Sequence, residues 1–345
     1  MRSSSVKRTV RQCVASGLAL AAVLTACQSR VSQGEPAWVL APDSVYNPNQ
    51  YLAAVGYGRD RASAEKGAIA ALTGLFGQSV EAEINLETQA SEKTVNNRPG
   101  LSSESTALST AIKTTAELDS LVGAEIANVW YDRKTTYYAV AVMEKAKATV
   151  LYTQKIRENQ RLIDGLTNLS GDKKNTLDGY SRYQRAAAIA DENRIYGNIL
   201  TVIGSPVSAL SKGNDYRLEA VNIAQNIPIG VIVTGDRENR ITGAFSSALS
   251  QAGFRSGGNN SRYVLEVTVS LSSVEYPNQA NKFFRYEISA NLMDTAEDTV
   301  LLPFSSNGRE GHPDSSEAKN RAVAAAEKKI ASVFGQALGE YLSSP

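Results

Sequence analysis

The sequence predicts an α+β protein with two domains behind a short N-terminal leader. Three observations lead there. Its 345 residues suit two domains at roughly 150 residues each. Several short runs alternate apolar and polar residues, the signature of half-buried strands, and other stretches carry apolar residues at helical spacing.

The leader comes first. Arg2, Lys7, Arg8 and Arg11 precede an apolar run from Cys13 to Ala26, with no acidic residue among them. A basic start, a short apolar core and small residues at its end describe a secretory signal. The run is too short to span a bilayer comfortably, which takes roughly 20 residues. It closes on Leu24-Thr25-Ala26-Cys27, the pattern of a lipobox, in which the Cys27 thiol is acylated and the chain is cut before it. Residues 1–26 are therefore read as signal and 27–35 as a polar tether, rich in Ser, Gln and Gly.

The first domain is placed at residues 36–143. Pro36-Ala37-Trp38-Val39 opens it, with Trp38 as a core anchor. Residues 51–58 read as a strand ending at glycine, and Asp60 or Ser63 caps the helix that follows. That helix aligns Ala64, Ala68, Ile69, Leu72 and Phe76. Val80, Ala82, Ile84 and Leu86 alternate with Glu81, Glu83, Asn85 and Glu87, as in a strand with one wet face. A loop from Thr88 to Ser105, a helix near Ala107 to Leu118, and strands over 123–131 and 136–143 complete a βαβαββ order.

Residues 144–204 read as a separate helical hairpin, able to project from the first domain. Its arms run over 144–169 and 176–203, broken at Ser170-Gly171-Asp172. The C-terminal domain, 213–345, starts with a helix near Tyr216–Asn226, a strand at 229–234 and a helix at 241–251. Two strongly alternating strands follow, around Tyr263–Leu271 and Phe284–Leu292, then a strand near 300–305. Together they form an antiparallel meander. A terminal helix aligns Ala318, Ala322, Ala326, Ile330, Phe334, Leu338 and Tyr341.

Composition excludes much chemistry. Four basic residues leave with the leader, so the 35 Asp and Glu outnumber the remaining Lys and Arg, and nothing suggests nucleic acid. Cys13 and Cys27 are the two cysteines and His312 the single histidine. Neither a disulfide, a thiolate metal site nor a His-rich zinc site can be built from them. No metal or cofactor is expected. His312, in Gly311-His312-Pro313-Asp314, reads as a turn residue. Gly56-Tyr57-Gly58 lacks the third glycine of a dinucleotide loop and the Lys-Ser/Thr of a P-loop. Its glycines read instead as relief of crowding between strand and helix. Glu81, Glu83 and Glu87 on one strand face could hold a cation, but they also suit a solvated face that discourages edge pairing.

The lipobox, Pro36-Ala37-Trp38-Val39, the strand Tyr51 to Gly58, and the alanine-rich helix from Ser63-Ala64-Glu65 resemble the LPP-twenty lipoprotein family over about residues 36–145. The resemblance implies a small outer-membrane or surface lipoprotein, in some cases a flagellar accessory, of a family none of whose members is understood as an enzyme. Gln28 after Cys27 implies sorting to the outer membrane, since inner-membrane retention in proteobacterial lipoproteins goes with Asp there.

The expectation is a non-enzymatic lipoprotein. It is held to the membrane by its lipid and acts through an envelope protein partner in envelope, flagellar or cell-wall assembly. The alternative is a module binding peptidoglycan or another glycan. Trp130, Tyr131, Tyr137 and Tyr138, clustered on one hairpin, are the candidate interaction surface, because aromatic rings with polar tips suit sugars or a protein partner. Ordinary sheet packing uses the same residues.

Overall fold

The computed structural model describes residues 34–94, 122–277 and 280–343. The chain divides into two compact units, residues 1–75 with 123–146 and residues 76–122 with 147–345. Its two sheets and their helices make an α+β fold, as the sequence predicts.

In the first unit a single helical turn, α1 (Ala37–Leu40), buries Trp38. Strand β1 (Tyr51–Gly58) pairs antiparallel with β3 (Tyr137–Glu144), and β3 pairs on its other side with β2 (Ala124–Tyr131). The central strand β3 sends two kinds of side chain to its two faces. Val140 and Val142 cluster with Trp38, Val55 and Trp130. Ala139, Ala141 and Met143 point the other way and are completely buried.

Helix α2 (Arg61–Thr94) belongs to that second face. A Cβ added at Gly56 would fall inside the backbone of Gly67 and Ala68, and one at Gly58 would lie 2.6 Å from the Ser63 Cβ. The two glycines thus let helix and strand approach closely. Ala64, Ala68 and Leu72, four residues apart, are the buried stripe of the helix.

This helix corrects one expectation. The alternating run Val80–Leu86 is not a strand but the continuation of α2. Glu81, Ala82, Glu83, Leu86 and Glu87 are good helix formers, and extending a helix already begun costs little when no proline interrupts it. The described order of the first domain is therefore β-α-β-β rather than βαβαββ. Glu81, Glu83 and Glu87 do not share a strand face. The expected 88–105 loop begins inside α2. Its remainder, the helix expected at 107–118, the leader and Cys27 lie outside the described residues.

In the second unit, α3 (Lys145–Thr167), a short turn α4 (Gly171–Lys174) and α5 (Leu177–Val202) precede α6 (Gly213–Gln225). The sequence reading sets the first two long helices apart as a hairpin able to project from the first domain. From Lys147 on they belong instead to the unit of the C-terminal sheet, and burial gives the reason. Helix α5 sends Leu177, Tyr180 and Tyr183 into the C-terminal core and packs Ala186 and Ala190 with Ile163 of α3. Thr176 caps α5, its Oγ1 accepting from Gly179 N–H at 3.0 Å.

The remaining elements are β4 (Pro228–Thr234), α7 (Arg240–Gln251), β5 (Arg255–Gly257), β6 (Tyr263–Val274), β7 (Lys282–Asp294), β8 (Thr299–His312), α8 (Ser315–Lys329), a π turn (Ile330–Phe334) and α9 (Gly335–Ser343). The sheet order is β5-β4-β6-β7-β8. β4 runs parallel to both β5 and β6, and β6-β7-β8 form the antiparallel meander. Phe245, Leu265, Leu292, Phe304 and Phe334 fill the core, with Phe334 edge-on to Phe245 at 4.9 Å and to Phe304 at 5.4 Å.

Strand β8 outruns its expected end at 305 and continues to His312. Its polar residues and glycines hide a strand signal. Those glycines give room to neighbouring rings: a Cβ at Gly308 would lie 2.6 Å from the Tyr286 ring, and one at Gly311 2.5 Å from the Phe283 ring. The stripe of the terminal helix is buried from Ala318 to Leu338, and Tyr341 is half-buried. Spacing of four overshoots a 3.6-residue turn by about 40° per step. The wider π turn at Ile330–Phe334 swings the stripe back toward the sheet.

Candidate functional site

The four aromatic residues singled out in the sequence do meet. Register pairs Trp130 with Tyr138 and Tyr131 with Tyr137 across the β2–β3 hairpin. The Trp130 and Tyr138 rings lie 5.4 Å apart, while Tyr131 and Tyr137 stack at 4.5 Å. The pairs occupy opposite faces of the sheet. Trp130 and Tyr138 pack against the Trp38 cluster and serve the core. Tyr131 is more open, and its hydroxyl donates to the Lys134 carbonyl at 3.0 Å.

The turn between the strands is held by one carboxylate. Asp132 Oδ1 accepts from the backbone N–H of Thr136 at 3.0 Å, Lys134 at 2.7 Å and Thr135 at 3.0 Å. These bonds, that of Thr136 foremost, hold the Asp132 carboxyl below its ordinary range. Arg133 sits at φ 59°, in the left-handed region that a tight turn requires.

Sequence reasoning missed a fifth ring. Tyr57 stands opposite Tyr138 in the β1–β3 register and is 75% exposed. The alternation Tyr51, Ala53, Val55, Tyr57 was the available signal, but it needs the pairing of β1 with β3 to become a surface. Just beyond it, Asp60 caps α2, accepting from Ser63 N–H at 2.8 Å and Ser63 Oγ at 2.9 Å. Ser63, chiefly through its backbone N–H, lowers the Asp60 carboxyl.

In the second unit, polar groups are tied into the fold. Arg262 grips Asp294 with three bonds of 2.7–3.1 Å. Burial pushes the Asp294 carboxyl up, yet the Arg262 guanidinium and two backbone N–H groups outweigh it, and the net shift is downward. Arg217 pairs with buried Asp191, whose Oδ1 has no partner among the described residues. A bidentate Arg240–Glu327 pair ties α7 to α8. Nearby is a cavity of about 410 Å³ with an apolar floor of Val269, Leu271, Tyr286 and Val323. A groove of about 640 Å³ runs over Ala248, Ala252, Ala331 and Gly335 beside Arg185 and Arg217. His312 is a strand residue rather than the expected turn residue: it ends β8 paired with Lys282, and its Nδ1 accepts from Asp314 N–H at 3.1 Å where the chain leaves the strand. Among the described residues no three metal-ligating side chains gather, and no helix is long and apolar enough to cross a membrane.

What these features define is a class: a two-unit α+β protein whose first unit presents an aromatic sheet end. Comparison with known proteins adds likenesses. Neither a protein-family model nor a curated protein sequence matches the chain. Among solved structures, a secreted protein of Helicobacter pylori is 13% identical and covers 81% of this chain and 97% of its own, at a TM-score of 0.40. A minor lipoprotein of Acinetobacter baumannii is 11% identical over 34% of this chain and 90% of its own, at 0.25. A lipoprotein of Neisseria meningitidis is 19% identical over 30% of this chain and 98% of its own, at 0.22.

Proposed function

We propose that the chain is a lipid-anchored lipoprotein of the bacterial outer membrane that acts, without catalysis, by contact with a partner protein of the envelope. The observation that carries this reading is Leu24-Thr25-Ala26-Cys27 at the end of a short apolar run behind a basic start. Acylation of Cys27 supplies about 0.8 kcal/mol per buried methylene, so two or three chains anchor a folded domain without a spanning helix. Gln28 supports the outer rather than the inner membrane. A contact role in envelope, flagellar or cell-wall assembly is supported by the residue inventory, since this reading gives Cys27 to lipidation and His312, at the end of β8, pairs with Lys282 and accepts from Asp314 N–H.

The test has two arms. Incorporation of labelled palmitate into the full chain, abolished by Cys27→Ala, is the expected result for the anchor; label retained in that variant overturns it. Crosslinking in intact envelopes followed by purification and mass spectrometry reads the contact. One defined protein captured with the wild type and lost with Cys27→Ala is expected. A chain that is crosslinked to nothing overturns the contact role.

A further inference from the structure

One end of the three-stranded sheet gathers exposed rings and cations. Both outer strands run antiparallel to β3, so Gly58 of β1 and Tyr131 of β2 both stand beside Tyr137. The turn carrying Arg59 and the turn carrying Arg133 and Lys134 therefore emerge at the same end, with Tyr57 on the Trp130–Tyr138 face of the sheet and Tyr131 on the other. All five side chains are exposed. Arg59, Arg133 and Lys134 form no ion pair among the described residues. The acids nearby are already engaged: Asp60 and Asp132 accept from backbone N–H groups, and Glu65 pairs with Arg61 at 2.7 Å.

We propose that this end of the sheet is a docking surface for the anionic headgroups of a lipid bilayer. Each part has a matching physical reason. Guanidinium forks fit phosphate oxygens. Tyrosine, apolar in its ring and polar at its tip, settles at headgroup depth. Cations within a Debye length of a negative leaflet gain from its surface potential. A neutral glycan would use the rings and leave three cations without a role. Asp60 and Asp132 keep their negative charges in the same turns and Glu65 offsets Arg61, so Arg59, Arg133 and Lys134 leave this end with one net positive charge. The surface works through its own side chains and does not depend on acylation of Cys27.

The test is flotation of the full mature chain carrying Cys27→Ala, unacylated, with vesicles of phosphatidylcholine alone or of phosphatidylcholine with phosphatidylglycerol. Co-flotation only when phosphatidylglycerol is present, falling as salt rises, is expected. The combined Arg59→Ala, Arg133→Ala and Lys134→Ala variant weakens binding about tenfold or more, given the contribution of each cation near a charged leaflet. Tyr57→Ala weakens it less and leaves the salt dependence unchanged. Circular dichroism and tryptophan fluorescence matching the wild type show that these variants fold. Absence of phosphatidylglycerol-dependent flotation overturns the proposal. So does a triple variant that floats like the wild type, or retention on isolated sacculi in place of vesicles. Neither acyl chain nor partner protein enters this assay, so its failure and that of the anchored-lipoprotein reading are separate results.

Discussion

The two sheets of this protein meet their helices in opposite ways. In the first unit the contact is made by removing side chains: Gly56, Gly58, Ala139 and Ala141 on the strands face Ala64 and Ala68 on the helix. In the second it is made by filling space: Phe245, Phe304 and Phe334 interlock with Leu265 and Leu292. Both bury their apolar groups, but they fail under opposite insults. The filled interface is sensitive to lost volume and the stripped one to added volume.

Removing volume from the filled core has the largest expected effect. Phe334→Ala, at the π turn where two other rings converge, should cost about 3–5 kcal/mol. Both tryptophans, Trp38 and Trp130, lie in the first unit. Denaturant melts followed by circular dichroism should therefore shift while the tryptophan fluorescence melt stays in place. A fluorescence melt that shifts equally would show that the two contrasting cores unfold as one.

Adding volume to the stripped interface comes next. Gly56→Val forces a side chain into the Gly67–Ala68 backbone, and overpacking of this kind costs about 1–3 kcal/mol. Here the tryptophan fluorescence melt should fall, with the second unit unchanged. Gly74→Ala, where an added Cβ meets nothing within 4 Å, is the control and should be neutral or slightly stabilising. Equal effects at Gly56 and Gly74 would break the contrast between the two sheets.

The contrast also explains what the sequence revealed. The filled unit was legible, because large apolar residues at every second position in β6 and β7 announce both strand and face. The stripped unit was only half legible. Alanine and glycine carry little periodic signal, and the alternating run after Gly77 imitates a strand although its glutamates and alanine favour helix. Strand β8 fails for a related reason, since Gly308 and Gly311 are defined by the Tyr286 and Phe283 rings of a neighbouring strand. The candidate surface was legible as a cluster on one hairpin. Tyr57 and Arg59 joined it only once β1 was registered against β3. The ion pairs of the second unit, such as Arg262–Asp294, join residues far apart in sequence and leave no local pattern.

That pair separates the units by pH. The Asp294 carboxyl titrates below its ordinary value of 3.8 in the folded state, because Arg262 overcomes the cost of burial. A lowered folded pKa means stability that is present above the unfolded pKa and is lost as pH falls through the folded one. Arg262→Met should cost the second unit about 2 kcal/mol at neutral pH, discounted because the arginine is partly exposed. The deficit relative to wild type should shrink as pH falls, beginning above 3.8, where burial without Arg262 raises the variant's carboxyl, and ending below it, where the wild-type pair is itself protonated. A deficit that stays constant into acid would assign the effect to lost packing rather than to charge.

The smallest expected effect lies at a helix start. Asp314 Oδ1 accepts from Glu317 N–H at 2.8 Å and begins α8, the helix whose stripe reaches the filled core. Asp314→Ala should cost about 1 kcal/mol, as loss of a helix cap does. It should appear in circular dichroism melts and not in tryptophan fluorescence. Asp314→Asn retains an oxygen that can accept the same bond and should restore most of the loss. If asparagine fails where its geometry is kept, the carboxylate acts through its charge on the helix dipole rather than through the cap bond, and the deficit should then diminish with added salt.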